Sequence, residues 1–231
     1  MRWRGRDVTA AIVALAIAAT CVRLGIWQLD RLAQRRARNA QVAARLALPP
    51  LELRGRGVSA DSAGQRRIVA RGVYDFARER VRPGRSFDGT PGVALVTPLR
   101  LGDGSAVLVD RGWVPSPDAY HVDQARYREP DTAVVMGVAV IVPSDGNRRD
   151  VNPGRLEDSL PYPLLPFVVR QGGSAPGAGL PRRWPPPALN DGPHLSYAIQ
   201  WFSFAVIIVV GTVALLRRPG VRRAATISGR F

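Results

Sequence analysis

Residues 195–216 read LSYAIQWFSFAVIIVVGTVALL, 22 residues without a single charge. A helix rises 1.5 Å per residue, so about 20 apolar residues cross a ~30 Å hydrocarbon core. The polar members of the run, Ser196, Gln200, Ser203 and Thr212, can bond within a helix or to a neighbouring one. The stretch reads as a transmembrane helix starting at His194. A second apolar run, 8–22, is interrupted by Arg23 and resumes over 24–29. Arg2, Arg4 and Arg6 ahead of small apolar residues also fit a cleaved signal peptide. The helical pattern continues past any cleavage point, through Leu29, Leu32 and Ala33, and Trp27 stands where an interfacial aromatic belongs. The reading is therefore an uncleaved helix over 8–29.

These two helices divide the chain into 1–7, 8–29, 30–193, 194–216 and a basic tail, 217–231. Arg2, Arg4 and Arg6 against Asp7 precede the first helix. Arg217, Arg218, Arg222, Arg223 and Arg230, with no acid, follow the second. Positive residues favour the cytoplasmic side, so both termini are expected there, in a bacterial cytoplasmic membrane, with 30–193 outside. Arg31, Arg35, Arg36 and Arg38 point the other way, but long domains are exported largely regardless of charge.

The remaining composition excludes several function classes. The chain has 231 residues, 25.0 kDa and a formal net charge of +15. Every basic residue is Arg, which speaks for a GC-rich genome more than for a nucleic-acid partner, and about half of the excess sits in the helix flanks. One cysteine, Cys21, permits no internal disulfide. Two histidines, His121 and His194, are too few for Cys/His zinc sites or a CxxCH haem attachment, and one Cys and two Met are few soft ligands for a copper carrier.

The middle segment turns to strands. The pattern predicts a helix over 33–47 ending at Pro49-Pro50, then strands at 67–74, 94–101, 106–114, 132–142 and 167–170. Gly102-Asp103-Gly104-Ser105 joins two of them as a hairpin turn. Pro/Gly loops are expected at 83–92, 143–154 and 172–187, with 181–187 a stiff lead-in rather than a folded element. The fold class is thus two transmembrane helices flanking a mainly antiparallel β domain, a small barrel or sandwich. No enzyme machinery stands out. His121 lies in a polar loop, no G-x-S-x-G elbow or phosphate-cradling loop occurs, and Asp75, Glu79 and Asp88 are scattered.

Three pieces in order resemble a known family. They are Leu24-Gly25-Ile26-Trp27-Gln28-Leu29-Asp30-Arg31; then Pro91-Gly92, Val96-Thr97-Pro98-Leu99 and Val107-Leu108-Val109-Asp110-Arg111-Gly112-Trp113-Val114-Pro115; then His194-Leu195-Ser196-Tyr197-Ala198-Ile199-Gln200-Trp201-Phe202. Their order and placement are similar to the Surfeit-locus (Surf-one/Shy-one) family of cytochrome c oxidase assembly proteins, which are two-helix membrane proteins with an extracytoplasmic domain. Asp110 where the family commonly shows Asn, and Val93 where it commonly shows Tyr, mark a divergent bacterial branch. The resemblance implies a non-enzymatic role in maturing haem-copper oxidase. Partners would be oxidase subunits, the machinery of haem a synthesis and insertion, and the lipid bilayer. It also implies transient binding of haem a, with His194 at the position of the family's histidine.

The residues themselves offer the chemical types a haem needs. On a helix, His194, Tyr197, Trp201 and Phe204 share one face. Trp27 is expected at similar depth on the first helix. Imidazole would ligate iron, rings would wall the macrocycle, and Arg23 or Arg31 would meet a propionate. The plainer alternatives are that such aromatics anchor and pack helices at the interface, that Arg23 snorkels, and that His194 is a helix-start residue. Arg111-Gly112-Trp113 reads chiefly as structural: Gly for close approach, Trp for packing, Arg for pairing with Asp110 or another carboxylate. A scaffold or accessory subunit without haem is the alternative function.

Overall fold

The computed structural model describes residues 5–143, 145, 150–173 and 179–217. Arg2, Arg4, the tail from Arg218 onward, and parts of the 143–154 and 172–187 loops lie outside these residues. Along the chain run α1 (Gly5–Ala47), β1 (Leu51–Leu53), α2 (Ala60–Ala63), β2 (Arg67–Tyr74), β3 (Arg80–Phe87), β4 (Thr90–Arg100), β5 (Ala106–Pro115), β6 (Thr132–Val140), α3 (Pro153–Leu156), β7 (Leu164–Gln171) and α4 (His194–Arg217). They form two compact units, Met1–Asn39 with Asn190–Phe231, and Ala40–Leu189.

In the first unit, α1 and α4 are each long and apolar enough to cross a membrane. The helix α1 is Ala-rich and free of Pro, so it continues without a break through residue 29 until Pro49-Pro50 ends the pattern. Its covered positions include Ala11, Ala14, Ala18, Cys21, Gly25, Gln28 and Leu32, spaced three and four apart. Those of α4 include His194, Ala198, Trp201, Ala205, Ile208 and Thr212. This is the near-heptad stripe of an antiparallel helix pair, built from small residues that let two backbones approach. Ala18 and Cys21 pack with Ala205, Trp201 and Ile208. A Cβ on Gly25 would lie 2.7 Å from the Phe202 ring, so only glycine admits that ring. Arg36 pairs with Asp191 at 2.8 Å, and Asn39 donates to the Asn190 carbonyl at 2.9 Å.

The second unit is a mixed sheet that closes on itself. Its strand order is β1-β2-β6-β7-β5-β4-β3, with a further pairing of β2 to β4. Five strands, β2-β6-β7-β5-β4, therefore make a ring, closed by only two register pairs, Val73 with Arg100 and Tyr74 with Leu99. Strand β3 fills the rest of the β4 edge, and β1 the rest of the β2 edge. The pairs β1·β2 and β5·β7 are parallel and the others antiparallel. The domain is mainly antiparallel, as expected, but two parallel pairs make its sheet a mixed one. Inward residues Ile68, Ala70, Leu99, Val107, Val109, Val135, Phe167 and Val169 form the core. Each large apolar side chain buried there contributes about 1.5–3 kcal/mol. Outside the ring, Val96, Leu108 and Val168 form a second cluster under Val142, Val151, Leu156 and Leu164. That cover explains why β5 is buried on both faces.

Strands β1 and β3 depart from expectation. Strand β3 falls partly in the expected 83–92 loop. A register shift between Arg82 and Arg85 accommodates Pro83 and Gly84, so the strand survives its breakers as a bulge. The 181–187 stretch also departs, because its first residues are knitted to the barrel. Trp113 and Arg182 exchange two backbone hydrogen bonds, at 2.8 and 2.7 Å. Trp184 Nε1 donates to Asp110 Oδ1 at 2.9 Å, and Arg183 donates to the Arg111 carbonyl.

A second bulge organises this clasp. Leu95 faces Gly112 while Val96 faces Asp110, so Arg111 is the extra residue in β5. It turns inward beside Thr97, and Asp110 and Trp113 stay on the outer surface against the 182–184 strap. Gly112 has φ +121°, and a Cβ there would lie 2.3 Å from the Arg182 carbonyl oxygen. Gly112→Ala combines a left-handed-region penalty with a backbone clash. It is expected to lower stability by roughly 2–4 kcal/mol. Thermal unfolding of the full chain in detergent measures this, with faster proteolysis within 179–189 as the local sign.

Candidate functional site

His194 opens α4 and is half-buried against α1. Its Nδ1 lies 2.9 Å from Gln28 Oε1. No partner is recorded for its Nε2 among the described residues. The residue facing His194 is thus Gln28 rather than Trp27. Trp27 is 42% exposed and turned off the seam, with the Arg31 guanidinium 5.5 Å above its ring. Successive helical residues differ by about 100°, so Trp27 and Gln28 cannot share a face. Tyr197 is 46% exposed, while Trp201 is half-buried and meets Phe204 edge-on at 5.9 Å. Arg23 is exposed. The structure therefore brings His194 and Trp201 onto the seam, and leaves Trp27, Tyr197, Arg23 and Arg31 on open helix surface.

His194 fits an iron ligand: one nitrogen is tied by a hydrogen bond and the other has no partner among the described residues. The aromatic walls do not converge on it within the pair. Among the described residues no group of three or more His, Cys, Asp or Glu is placed to hold a metal ion. His121 is exposed, as its loop predicts, and its Nδ1 meets Asp118 at 2.6 Å. That carboxylate also accepts from the Tyr120 and His121 backbone N–H groups, which hold it well below the usual range.

In the barrel, Arg111 is fully buried and pairs with Glu79 at 2.9 Å and Glu129 at 3.0 Å. Sequence reading gave Asp110 as a candidate partner, yet the bulge puts Asp110 on the opposite surface. Glu129 also binds Arg183, while Thr97 bonds both Glu79 and Arg111. The Phe76 ring covers the Arg111 guanidinium at 4.9 Å. Glu79 and Glu129 are 50 residues apart, so no spacing in the sequence joins them. Burial pushes the Glu79 carboxyl up, against the pull of Arg111. On the outer face, Arg82 bridges Asp150 at 2.7 Å and Asp110 at 3.5 Å. With Arg170, Val96, Val140, Val142, Val151 and Val168, Arg82 and Asp110 line a cavity of about 30 Å³.

Residues 15–206 match the SURF1 family. The chain belongs to the SURF1 family. An uncharacterized SURF1-like protein of Mycobacterium tuberculosis is 27% identical over 222 residues, covering 87% of this chain and 80% of the relative. A SURF1-like protein of Monosiga brevicollis is 25% identical, covering 90% and 88%. One from Rickettsia felis is 23% identical, covering 86% and 93%. The matched region takes in both the Gln28–His194 contact and the Asp110–Trp113 turn. SURF1 proteins are known generally as oxidase assembly factors rather than enzymes.

Within this SURF1 domain, burial pushes the Asp110 carboxyl above the usual carboxylate range. Trp184, Arg82, Arg170 and the Gly112 N–H pull it down without offsetting the burial. A raised folded value contributes stability that is present below the unfolded value of about 4 and is lost as pH rises through the folded value. Asp110→Asn keeps the Oδ1 acceptor for Trp184 and Gly112 and removes that titration. Its melting temperature is expected to gain on wild type as pH climbs from about 4 to 8. A constant difference across that range would show that Asp110 is not the group responsible.

Proposed function

We propose that this chain is a membrane assembly factor for haem-copper cytochrome c oxidase that binds haem a and passes it toward the catalytic subunit. Family membership supports the oxidase role. The single observation that carries the haem reading is His194, half-buried at the start of an apolar helix with one ring nitrogen fixed and the other without a partner among the described residues. Haem a is the cargo, and His194 is the residue that would ligate its iron. Tyr197 and Trp201 lie on the same helix as walls, and Arg23 or Arg31 is the cation for a propionate. Trp27, the wall expected from the first helix, lies under Arg31 off the seam. The exposed positions of Trp27 and Tyr197 favour the second reading, a scaffold that contacts oxidase subunits without haem. Those rings are also free to meet a partner.

The absorption spectrum of the full-length protein, purified from cells that make haem a, separates the two. The wild type is expected to carry a haem a spectrum and His194→Ala to lose it while still inserting and unfolding cooperatively. Trp201→Phe, which keeps an aromatic wall, weakens binding modestly. A wild type without haem, or His194→Asn with full haem content, decides for the scaffold.

The proposed arrangement places both termini in the cytoplasm and residues 30–193 outside. It rests on the arginine-rich flanks and on two helices of spanning length. Reporter fusions at Gly5, Gly146 and Arg230 are expected to read in, out and in. An exported C-terminus, or a mature chain beginning near Cys21, overturns the two-helix topology.

A further inference from the structure

We infer that Gln28 is a positioning residue that fixes His194 as an Nδ1–H tautomer, and that Gly192 keeps the Nε2 edge clear for iron. This rests on His194 being the haem ligand.

A neutral imidazole has one donor and one acceptor nitrogen, and a hydrogen bond at one nitrogen decides which is which. Gln28 Oε1 lies 2.9 Å from His194 Nδ1 and is an acceptor only. The proton is therefore held at Nδ1, and Nε2 keeps its lone pair. Gln28 is half-buried in the seam, where its amide has little competition from water. It is held there by the packing on either side of it: Gly25 receives the Phe202 ring one turn before, and Leu32 is buried one turn after.

The second contribution comes from Gly192. It has φ +68°, and a Cβ there would lie 3.5 Å from His194 Cδ2 and 3.7 Å from Nε2. Those are ordinary contact distances, so a side chain there, strained by the positive φ but not by a clash, would cover the approach to Nε2. Glycine leaves it open.

The choice of an amide has a chemical consequence. A carboxylate behind a metal-bound imidazole draws the Nδ1 proton strongly and makes the ligand more basic. A neutral amide orients the ring and adds less basicity. Ligation then remains weak enough for release, as a protein that passes haem onward requires.

The test uses the full-length chain in detergent. With only two histidines, the ring nitrogens of His194 are assigned in ¹⁵N-labelled apoprotein by comparison with His121→Ala. Wild type and Gln28→Glu are expected to show the Nδ1–H signature. Gln28→Leu is expected to revert toward the mixture of a free imidazole. In titrations with ferric haem a, Gln28→Leu should bind roughly 10–100-fold more weakly, the range seen for outer partners of ligating histidines. Gln28→Glu should bind at least as tightly as wild type, with a lower midpoint potential and slower haem loss. Gly192→Asn, which tolerates the left-handed conformation, should weaken binding and leave the tautomer unchanged. If Gln28→Leu alters neither tautomer nor affinity while His194→Ala abolishes binding, the positioning role is overturned and the haem reading stands. If the wild type takes up no haem a while Gln28→Leu shifts the tautomer, the haem reading falls and Gln28's control of the ring stands.

Discussion

A guanidinium with no exposed surface has to be answered inside the protein, and the barrel is arranged around answering Arg111. Its partners come from four places: Glu79 just before β3, Thr97 on β4, the Tyr127 carbonyl, and Glu129 in the segment before β6. Such a network is not a large source of net stability, since dehydrating the charges offsets much of their attraction. Its effect is on arrangement. A one-residue slip in β5 would move Arg111 to the outer face and bury Asp110 without Trp184, leaving charges unpaired on both surfaces. The bulge at Arg111 thereby fixes the register of β5 against β4, and through β5 the parallel pairing with β7.

The helix pair is held by a different kind of force. Its seam of Ala, Gly and Cys has little apolar area to bury, so it depends on close backbone approach. The polar groups sit at one end, where Gln28 meets His194 and Arg35, Arg36 and Asn39 meet Asn190 and Asp191. That clustering gives this end of the seam its directional chemistry.

Much of this was legible in the sequence. A long uncharged run identifies α4 by length alone, α1 is read from two apolar runs joined across Arg23 by a continuing helical pattern, and alternation with a Gly-Asp-Gly turn identifies β4, β5 and their hairpin. The short β1 was not legible because its three residues gain their identity only from parallel pairing with β2. In β3 the breakers Pro83 and Gly84 occupy a bulge that no local rule distinguishes from a loop. His194 stood out by its place at the head of an apolar helix. Gln28 did not, because an aromatic neighbour carried the stronger interfacial signal. Only a second helix can decide which of two adjacent residues faces inward. The clasp was hidden for a related reason: a proline-rich stretch carries no periodicity, so its bonds to Asp110 and Trp113 are long-range facts.

The clasp also imposes an order of events on a chain made from its N-terminus. Strands β2 to β6 can all be present and the ring still lacks β7 between β6 and β5. Even with β7 in place, Glu129 waits for Arg183, and Asp110 for Trp184. Arg183 precedes the first residue of α4 by only 11 positions. The barrel therefore completes its charge pairing only after nearly the whole domain has been synthesised, immediately before the second apolar helix emerges. Until then the Glu129 and Asp110 carboxylates each lack a partner, so commitment to the native barrel and commitment of the last helix fall almost together in time.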